Sequence, residues 1–157
     1  MKNIIKTLFM AVVMACTLTA CRDNAEIPDH GPVVHPQEDA KGLYVGEWTI
    51  EEVGSPDVKT EPGTMELTPS EYNYVTIVNV KCEAQNIDLT SAANITPGGE
   101  GYLISNGSAS NGFGEKDAQF SGAVNKSNWS GWIRFKKNVK VGIKNRTYFY
   151  TFNGKRQ

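Results

Sequence analysis

The chain has 157 residues, a formal net charge of −1, three cysteines and two histidines. That length allows one domain of ordinary size, and the nearly balanced charge gives no indication of a nucleic-acid partner. Both histidines, His30 and His35, lie in the first quarter of the chain. The commonest histidine-dependent catalytic triads are therefore excluded from everything that follows.

Residues 1–20 have the three-part build of a secretory signal peptide. Lys2 and Lys6 supply positive charge, and an apolar run over residues 8–18 is followed by small residues. As a helix this run would be about 16 Å long, against the ~30 Å of a bilayer's hydrocarbon core. We therefore predict a cleaved signal rather than a transmembrane helix.

The sequence Leu18-Thr19-Ala20-Cys21 ends that segment. It resembles the bacterial lipobox, in which a lipoprotein signal peptidase cuts before a diacylglyceryl-modified cysteine. The resemblance implies that Cys21 is lipidated and anchors the mature chain to a membrane of the bacterial cell envelope, in our expectation the outer membrane. The acidic residues that follow are loosely similar to the surface-export signal of lipoproteins of the Bacteroides group. The periplasmic face and the cell surface are therefore both kept as alternative locations of the domain.

Residues 21–41 are predicted to be the lipidated cysteine and a flexible linker. The segment contains three prolines and few large apolar side chains, so it cannot bury enough surface to offset its ordering entropy. His30 and His35 have no third ligand nearby, and we predict neither a metal site nor a cofactor. Cys82 would be the one cysteine left in the domain, and its strand-like surroundings predict a buried, unreactive thiol.

From residue 42 onward, short β-patterns alternate with turn signals, and no stretch has a helical period. Antiparallel strands in sequence form a meander, which loses its exposed edges by closing. We therefore predict that residues 42–157 form one all-β domain, a single antiparallel up-and-down β-barrel of about eight strands. A β-sandwich is the alternative. The predicted strands are 43–53, 63–68, 72–82, 87–96, 102–105, 118–124, 128–135, 139–143 and 147–153.

Charge is divided unevenly along this domain. Residues 42–117 hold twelve acidic and three basic residues, whereas residues 118–157 hold nine basic residues and no acid. One explanation is that acidic and basic strands pair as the sheet closes. The other is an anionic partner for the basic end.

The segment Tyr44-Val45-Gly46-Glu47-Trp48 opens the first predicted strand. It is similar to the Gly-x-Trp signature of lipocalins and other calycins. The resemblance implies a calycin-like barrel in which Trp48 plugs the closed end under a basic residue of the last strands. Arg134, Arg146 and Arg156 could supply that residue, and we expect Arg146 in that role. Lipocalins usually carry a C-terminal helix after the barrel, and no such helix is predicted here, so avidin-like and other short barrels are alternatives of equal standing.

Aromatic residues are the strongest functional signal that remains. An eight-stranded barrel encloses enough room for side chains or for one small ligand. Two hypotheses follow: a membrane-anchored, non-enzymatic barrel that binds a small hydrophobic or amphipathic ligand, or a packed barrel whose outer surface binds a protein or glycan. The predicted ligand-binding residues are Trp48, Tyr74, Tyr102, Phe120, Tyr148 and Tyr150. The predicted surface residues are Phe113, Trp129 and Trp132.

Catalysis has little support in the sequence, and we predict no enzyme. Glu51 and Glu52 are neighbours in a strand and point to opposite faces, so they cannot act on one substrate. Glu100 with Glu115 or Asp117 could form a glycosidase-like pair around the 106–116 loop. Solvated loop acids are commoner, and this hydrolase hypothesis ranks third.

Overall fold

A computed structural model describes residues 34–106 and 119–157 of the chain. The predicted signal peptide, Cys21 and most of the predicted linker lie outside these residues. So do Phe113 and Glu115 of the predicted 106–116 loop, and Asp117 next to it. The described residues from His35 onward belong to one compact unit.

Within the described residues, one short helix precedes eight strands, and a 3₁₀ turn at Glu83–Gln85 separates the third strand from the fourth. Each strand pairs antiparallel with the next, and the last pairs with the first to close the barrel. The predicted all-β up-and-down barrel is confirmed, and the sandwich alternative is wrong. The elements are α1 Pro36–Asp39, β1 Gly42–Glu52, β2 Val58–Pro69, β3 Val75–Cys82, β4 Ile87–Gly98, β5 Gly101–Ser105, β6 Phe120–Asn125, β7 Ser130–Val141 and β8 Lys144–Arg156.

Several strands are longer than their patterns predict. Strand β7 joins two predicted strands, 128–135 and 139–143, because its alternation continues through Lys137. Asn153-Gly154, a turn-like pair, lies inside β8. A Cβ at Gly154 would stand 2.5 Å from the Phe152 ring, so this glycine makes room for a packed aromatic ring rather than for a turn.

The prediction that Tyr74 is a ligand-binding residue inside the barrel is wrong. It precedes β3 with a left-handed backbone (φ 63°) and is 46% exposed. The turn that leads into β3 therefore removes it from the inward row, which begins at Thr76 and continues through Val78, Val80 and Cys82, all buried. Tyr74 does not line the barrel interior.

The middle of the barrel is packed solid around Trp48. Its ring centroid lies 5.3 Å from that of Phe152 and 5.7 Å from that of Phe135. The indole N–H donates to the Lys81 carbonyl at 2.9 Å. A Cβ at Gly63 would overlap the indole, so Trp48 fits only because β2 carries a glycine there.

The end of the barrel at which β1 begins is closed, and α1 contacts β2 and β4 there. Gln37 is 4% exposed, and its side-chain oxygen accepts from the Tyr74 backbone N–H at 3.2 Å. The Tyr44 hydroxyl donates to the Ala40 carbonyl at 2.8 Å. Burial raises the pKa of Tyr44 to about 12.

A second group of contacts ties the chain termini of the barrel to the same end. The Tyr102 hydroxyl donates to the Asp39 carboxylate, and this bond is the main cause that lowers the Asp39 pKa. The Arg156 guanidinium lies 3.4 Å from the ring centroid of Trp129 and donates to the Asp39 carbonyl at 2.8 Å. The Lys126 ammonium approaches the Asp39 carboxylate to 3.4 Å.

The uneven division of charge resolves partly into ion pairs between the first strand and the last two strands. Glu51 pairs with Arg134 at 3.4 Å, and Glu52 pairs with Arg146 at 3.0 Å. Both join the acidic part of the domain to the basic part. The pairing explanation is confirmed for these residues, although partly exposed pairs of this kind add only a few tenths of a kcal/mol.

Candidate functional site

The opposite end of the barrel contains a cavity of about 550 Å³. This is the end at which β1 finishes, and we call it the open end. Apolar and aromatic side chains lie beside charged and amide groups in its wall. The lining residues are Ile50, Glu52, Asp57, Lys59, Gln85, Asn86, Ile87, Lys137, Val139, Arg146, Tyr148 and Tyr150.

Unequal strand lengths create this cavity. Strands β5 and β6 have 5 and 6 residues, whereas β7 and β8 have 12 and 13. The last β7 residue paired with β6 is Phe135. From Lys136 onward β7 pairs, within the described strands, with β8 alone. One side of the wall therefore extends well past the packed core.

Aromatic rings continue from the packed core into the cavity. Phe135 stacks on Tyr150, with ring centroids 5.1 Å apart and planes 11° apart. Tyr148 follows, 6.4 Å from Tyr150. Tyr150 is 6% exposed, whereas Tyr148 is only partly buried. The floor of the cavity is therefore an aromatic surface supported from below by Phe135 and Trp48.

Glu52 organises the polar rim of the cavity. Both of its carboxylate oxygens accept from Arg146 Nη1 at 3.0 Å, and one also accepts from the Tyr148 hydroxyl at 3.2 Å. The hydrogen bond to Glu52 raises the pKa of Arg146 above its ordinary value. This contact holds the Arg146 and Tyr148 side chains in place over the cavity.

The cavity wall offers charges of both signs, with cations in excess. Lys59, Lys137 and Arg146 are basic, and Glu52 and Asp57 are acidic. The arrangement suits a molecule with an apolar body on the tyrosines and an anionic group at the rim.

Of the predicted ligand-binding residues, the structure brings Tyr148 and Tyr150 together in the cavity wall. Trp48, Tyr102 and Phe120 are inside the barrel, but they belong to the packed core and do not line the cavity. Their apolar surface is already covered by neighbouring side chains.

The predicted surface residues do not form one patch. Trp129 is half-buried beneath Arg156 and packs against the core. Trp132 is 39% exposed on the outer face of β7. Phe113 lies outside the described residues.

The expected stacking of Arg146 on Trp48 is wrong. Arg146 is bonded to Glu52 at the open end, and Trp48 is shut in by Phe135 and Phe152. The arginine that lies over a tryptophan is Arg156, which lies over Trp129.

Glu52 was not predicted as a site residue, although the sequence contains a signal for it. Tyr44, Trp48 and Ile50 lie on the inward row of β1, and Glu52 extends that row by one step of two residues. A carboxylate at the end of an inward-facing row marks the point at which the barrel interior becomes polar.

The remaining chemistry of the described residues is sparse. Within residues 34–106 and 119–157 no group of three or more His, Cys, Asp or Glu side chains could hold a metal ion. Cys82 is buried, as predicted, and burial raises the pKa of its thiol. No described helix is both long and apolar enough to cross a membrane.

A second depression, of about 610 Å³, lies beside β2 and β3 near Val45, Gly63 and Lys81. Its described lining contains no aromatic ring and includes the outward-facing Val45 and Lys81. The open-end cavity, with its aromatic floor and organised rim, is the better candidate site.

The chain matches no protein-family model and no curated protein. The geometry of the barrel is therefore the evidence for its function.

Proposed function

We propose that the protein is a lipid-anchored, non-enzymatic lipoprotein of the bacterial cell envelope whose calycin-like barrel binds a small amphipathic ligand. The observation that carries the proposal is the open-end cavity of about 550 Å³, with tyrosines at its floor and charged groups at its rim. Ligand pockets commonly measure a few hundred to about 1,000 Å³ and combine apolar walls with a few placed polar groups.

The ligand class follows from the two kinds of wall. Ile50 and Tyr150 offer apolar surface at depth, and a flat or aliphatic body would bury itself against them. Arg146 and Lys59 in the cavity wall would bind an anionic group. Because Glu52 is held by Arg146 and Tyr148, it serves as an organising acceptor rather than as a free acid–base group.

Binding is tested with a chain of residues 22–157, which retains every strand of the closed barrel. The probe is anilinonaphthalene sulfonate, a dye that has aromatic rings and one anionic group. We expect fluorescence enhancement that saturates at one dye per chain. Tyr148→Ala and Arg146→Ala should each weaken binding about tenfold, as expected for loss of a central aromatic or charged contact.

Trp132→Ala is the matched control, because it removes an aromatic residue of the same strand pair from the outer face. Equal dye affinity in the wild-type chain and in all three variants would contradict binding in this cavity. If the dye binds as expected, native mass spectrometry of the protein extracted from membranes would identify the natural ligand.

The anchor needs a separate test on the full-length chain. Cys21→Ala should abolish incorporation of a labelled fatty acid. Cys16→Ala is the control, because it removes a cysteine five residues earlier, inside the predicted signal peptide, and it should leave incorporation intact. Labelling of the Cys21→Ala chain would contradict the proposed lipidation and leave the ligand proposal standing.

A second candidate function rests on the outer face. Leu103, Ala123 and Trp132 are cross-strand neighbours on β5, β6 and β7, and Leu103 and Trp132 are 53% and 39% exposed. Such an apolar row is typical of a contact surface for a protein or glycan. Cross-linking in intact cells that is lost in Trp132→Ala but kept in Tyr148→Ala would favour this function over ligand binding.

A further inference from the structure

The β7–β8 hairpin extends past its neighbours at the open end. Strand β8 pairs with β1 only from Tyr148 onward, and β7 pairs with β6 only as far as Phe135. Between these points, among the described strands, the two arms pair only with each other. We call residues 136–146 the basic hairpin.

Charge in the basic hairpin has one sign. Residues 136–146 contain four lysines and one arginine, and no acidic residue. Lys136 and Lys140 are exposed on the outer face, and Lys144 is exposed beside the turn. Arg146 is bonded to Glu52 of β1.

The tip of the basic hairpin is apolar. Gly142 and Ile143 form the two-residue turn, and Gly142 has the positive φ (62°) that such turns require. Ile143 is 96% exposed and Val141 is 47% exposed. A Cβ at Gly142 would meet no described atom within 4 Å, so the turn stands clear of the barrel.

An isoleucine at this position has no explanation in the fold. Turn positions favour Gly, Asn and Asp, and a fully exposed β-branched apolar side chain adds nothing to the core. Lysines alone would be explained as protection of unpaired strand edges against aggregation. That explanation predicts a polar turn and does not account for Ile143 or Val141.

We propose that the basic hairpin binds an anionic lipid bilayer, with Ile143 and Val141 entering the interface and the lysines contacting headgroups. An exposed apolar tip flanked by cations matches the layered chemistry of such a surface, in which charge lies outside and hydrocarbon lies within. Nucleic acid offers charge without an apolar layer, and the tip would gain nothing there. The hairpin wall continues into the open-end cavity through Val139 and Arg146, so this binding would face the cavity mouth towards the membrane.

The proposal does not depend on lipidation of Cys21, and its test avoids the anchor. The chain of residues 22–157 is mixed with vesicles of phosphatidylcholine alone and of an equimolar mixture with phosphatidylglycerol, and the bound fraction is measured by flotation. We expect binding to the anionic vesicles that weakens as salt is raised. Ile143→Ser should weaken it about tenfold, and Lys140→Gln with Lys144→Gln about fivefold per lysine.

Two matched controls distinguish binding through the basic hairpin from nonspecific binding through any exposed apolar or basic side chain. Leu103→Ser removes an apolar side chain that is 53% exposed on the barrel wall, and Lys155→Gln removes an exposed lysine near the closed end of β8. Both should bind anionic vesicles like the wild-type chain. Equal losses in controls and hairpin variants would overturn the proposal.

A label on the tip measures insertion directly. Cys82 is buried, so a chain of residues 22–157 that carries Ile143→Cys can be labelled at the tip with an environment-sensitive dye. We expect its emission to shift to shorter wavelength on anionic vesicles, and a dye on Leu103→Cys to remain unshifted. Absence of flotation, or vesicle binding without a tip shift, would overturn insertion and leave the lysines as edge protection. The dye-binding test of the cavity is independent of both results.

Discussion

The two ends of the barrel use similar residues for different purposes. At the closed end, Tyr44, Asp39 and Arg156 bond to the backbone or side chains of neighbouring elements beneath or beside α1. At the open end, Tyr148 and Arg146 bond to Glu52 around a cavity. Tyrosine and arginine donors thus bond mainly to the backbone at the closed end, whereas at the open end they bond to one carboxylate beside a cavity.

Strand length accounts for this difference. At the closed end β1 begins directly after α1, and the short helix covers the interior. At the open end β7 and β8 continue beyond β5 and β6, and the inward-facing row changes from Ile50 to Glu52. The packed layer around Trp48 separates the two regions. A substitution on the closed-end side of this layer should alter stability, and a substitution on the open-end side should alter ligand binding.

The largest expected effect comes from removing that layer. Trp48→Ala deletes a fully buried indole together with its bond to the Lys81 carbonyl. We expect a loss of about 3–5 kcal/mol in the free energy of unfolding, measured in urea. Trp132→Ala, on the outer face, should cost less than about 1 kcal/mol. Similar losses in the two variants would contradict a packed layer at Trp48.

High pH should destabilise the closed end through Tyr44. Burial raises the pKa of this phenol to about 12 in the folded chain, against an ordinary value of 10. The folded state therefore holds its proton where the unfolded state has lost it, so the contribution is complete below pH 10 and is lost as pH rises towards 12. We expect a loss of about 2 kcal/mol across that window.

Tyr44→Phe tests this assignment. The variant lacks the titrating group, so its free energy of unfolding should fall less steeply with pH in the alkaline range. Tyr72→Phe removes a phenol that is 66% exposed and serves as the control. An alkaline slope that is unchanged in Tyr44→Phe would assign the effect to other groups, Tyr102 first, whose pKa burial also raises.

The fold was predictable because the sequence alternates at a period of two almost throughout. The row Thr76, Val78, Val80 and Cys82 shows why, since each of these residues is buried as its place in the pattern requires. Closure was predicted because no stretch of sequence from residue 42 onward has a helical period. Antiparallel strands without helical connections form a meander, which loses its exposed edges by closing. Alternation alone did not predict that Tyr74 belongs to a turn, because its positive φ depends on the chain leading into β3.

The site was only partly predictable, for a physical reason. Tyr148 and Tyr150 were predicted as inward-facing residues, and both line the cavity. Their pattern is the same as that of Trp48 and Phe152, which are packed. Periodicity tells which way a side chain points but not how far the neighbouring strands extend. The lengths of β5 and β6 decide whether the space is filled.

The smallest effect on stability, and the sharpest test of the comparison, is expected at the rim. Glu52→Gln removes a carboxylate from a partly exposed ion pair with Arg146, which should lower the free energy of unfolding by less than about 1 kcal/mol. Because the anionic dye would then meet Arg146 without a competing carboxylate, its binding should tighten about threefold to fivefold. Glu51→Gln is the matched control, since Glu51 pairs with Arg134 on the outer face; it should change stability equally and leave dye affinity unchanged. If both substitutions change dye affinity by the same factor, dye binding depends on the net charge of the domain and not on the geometry of the open end.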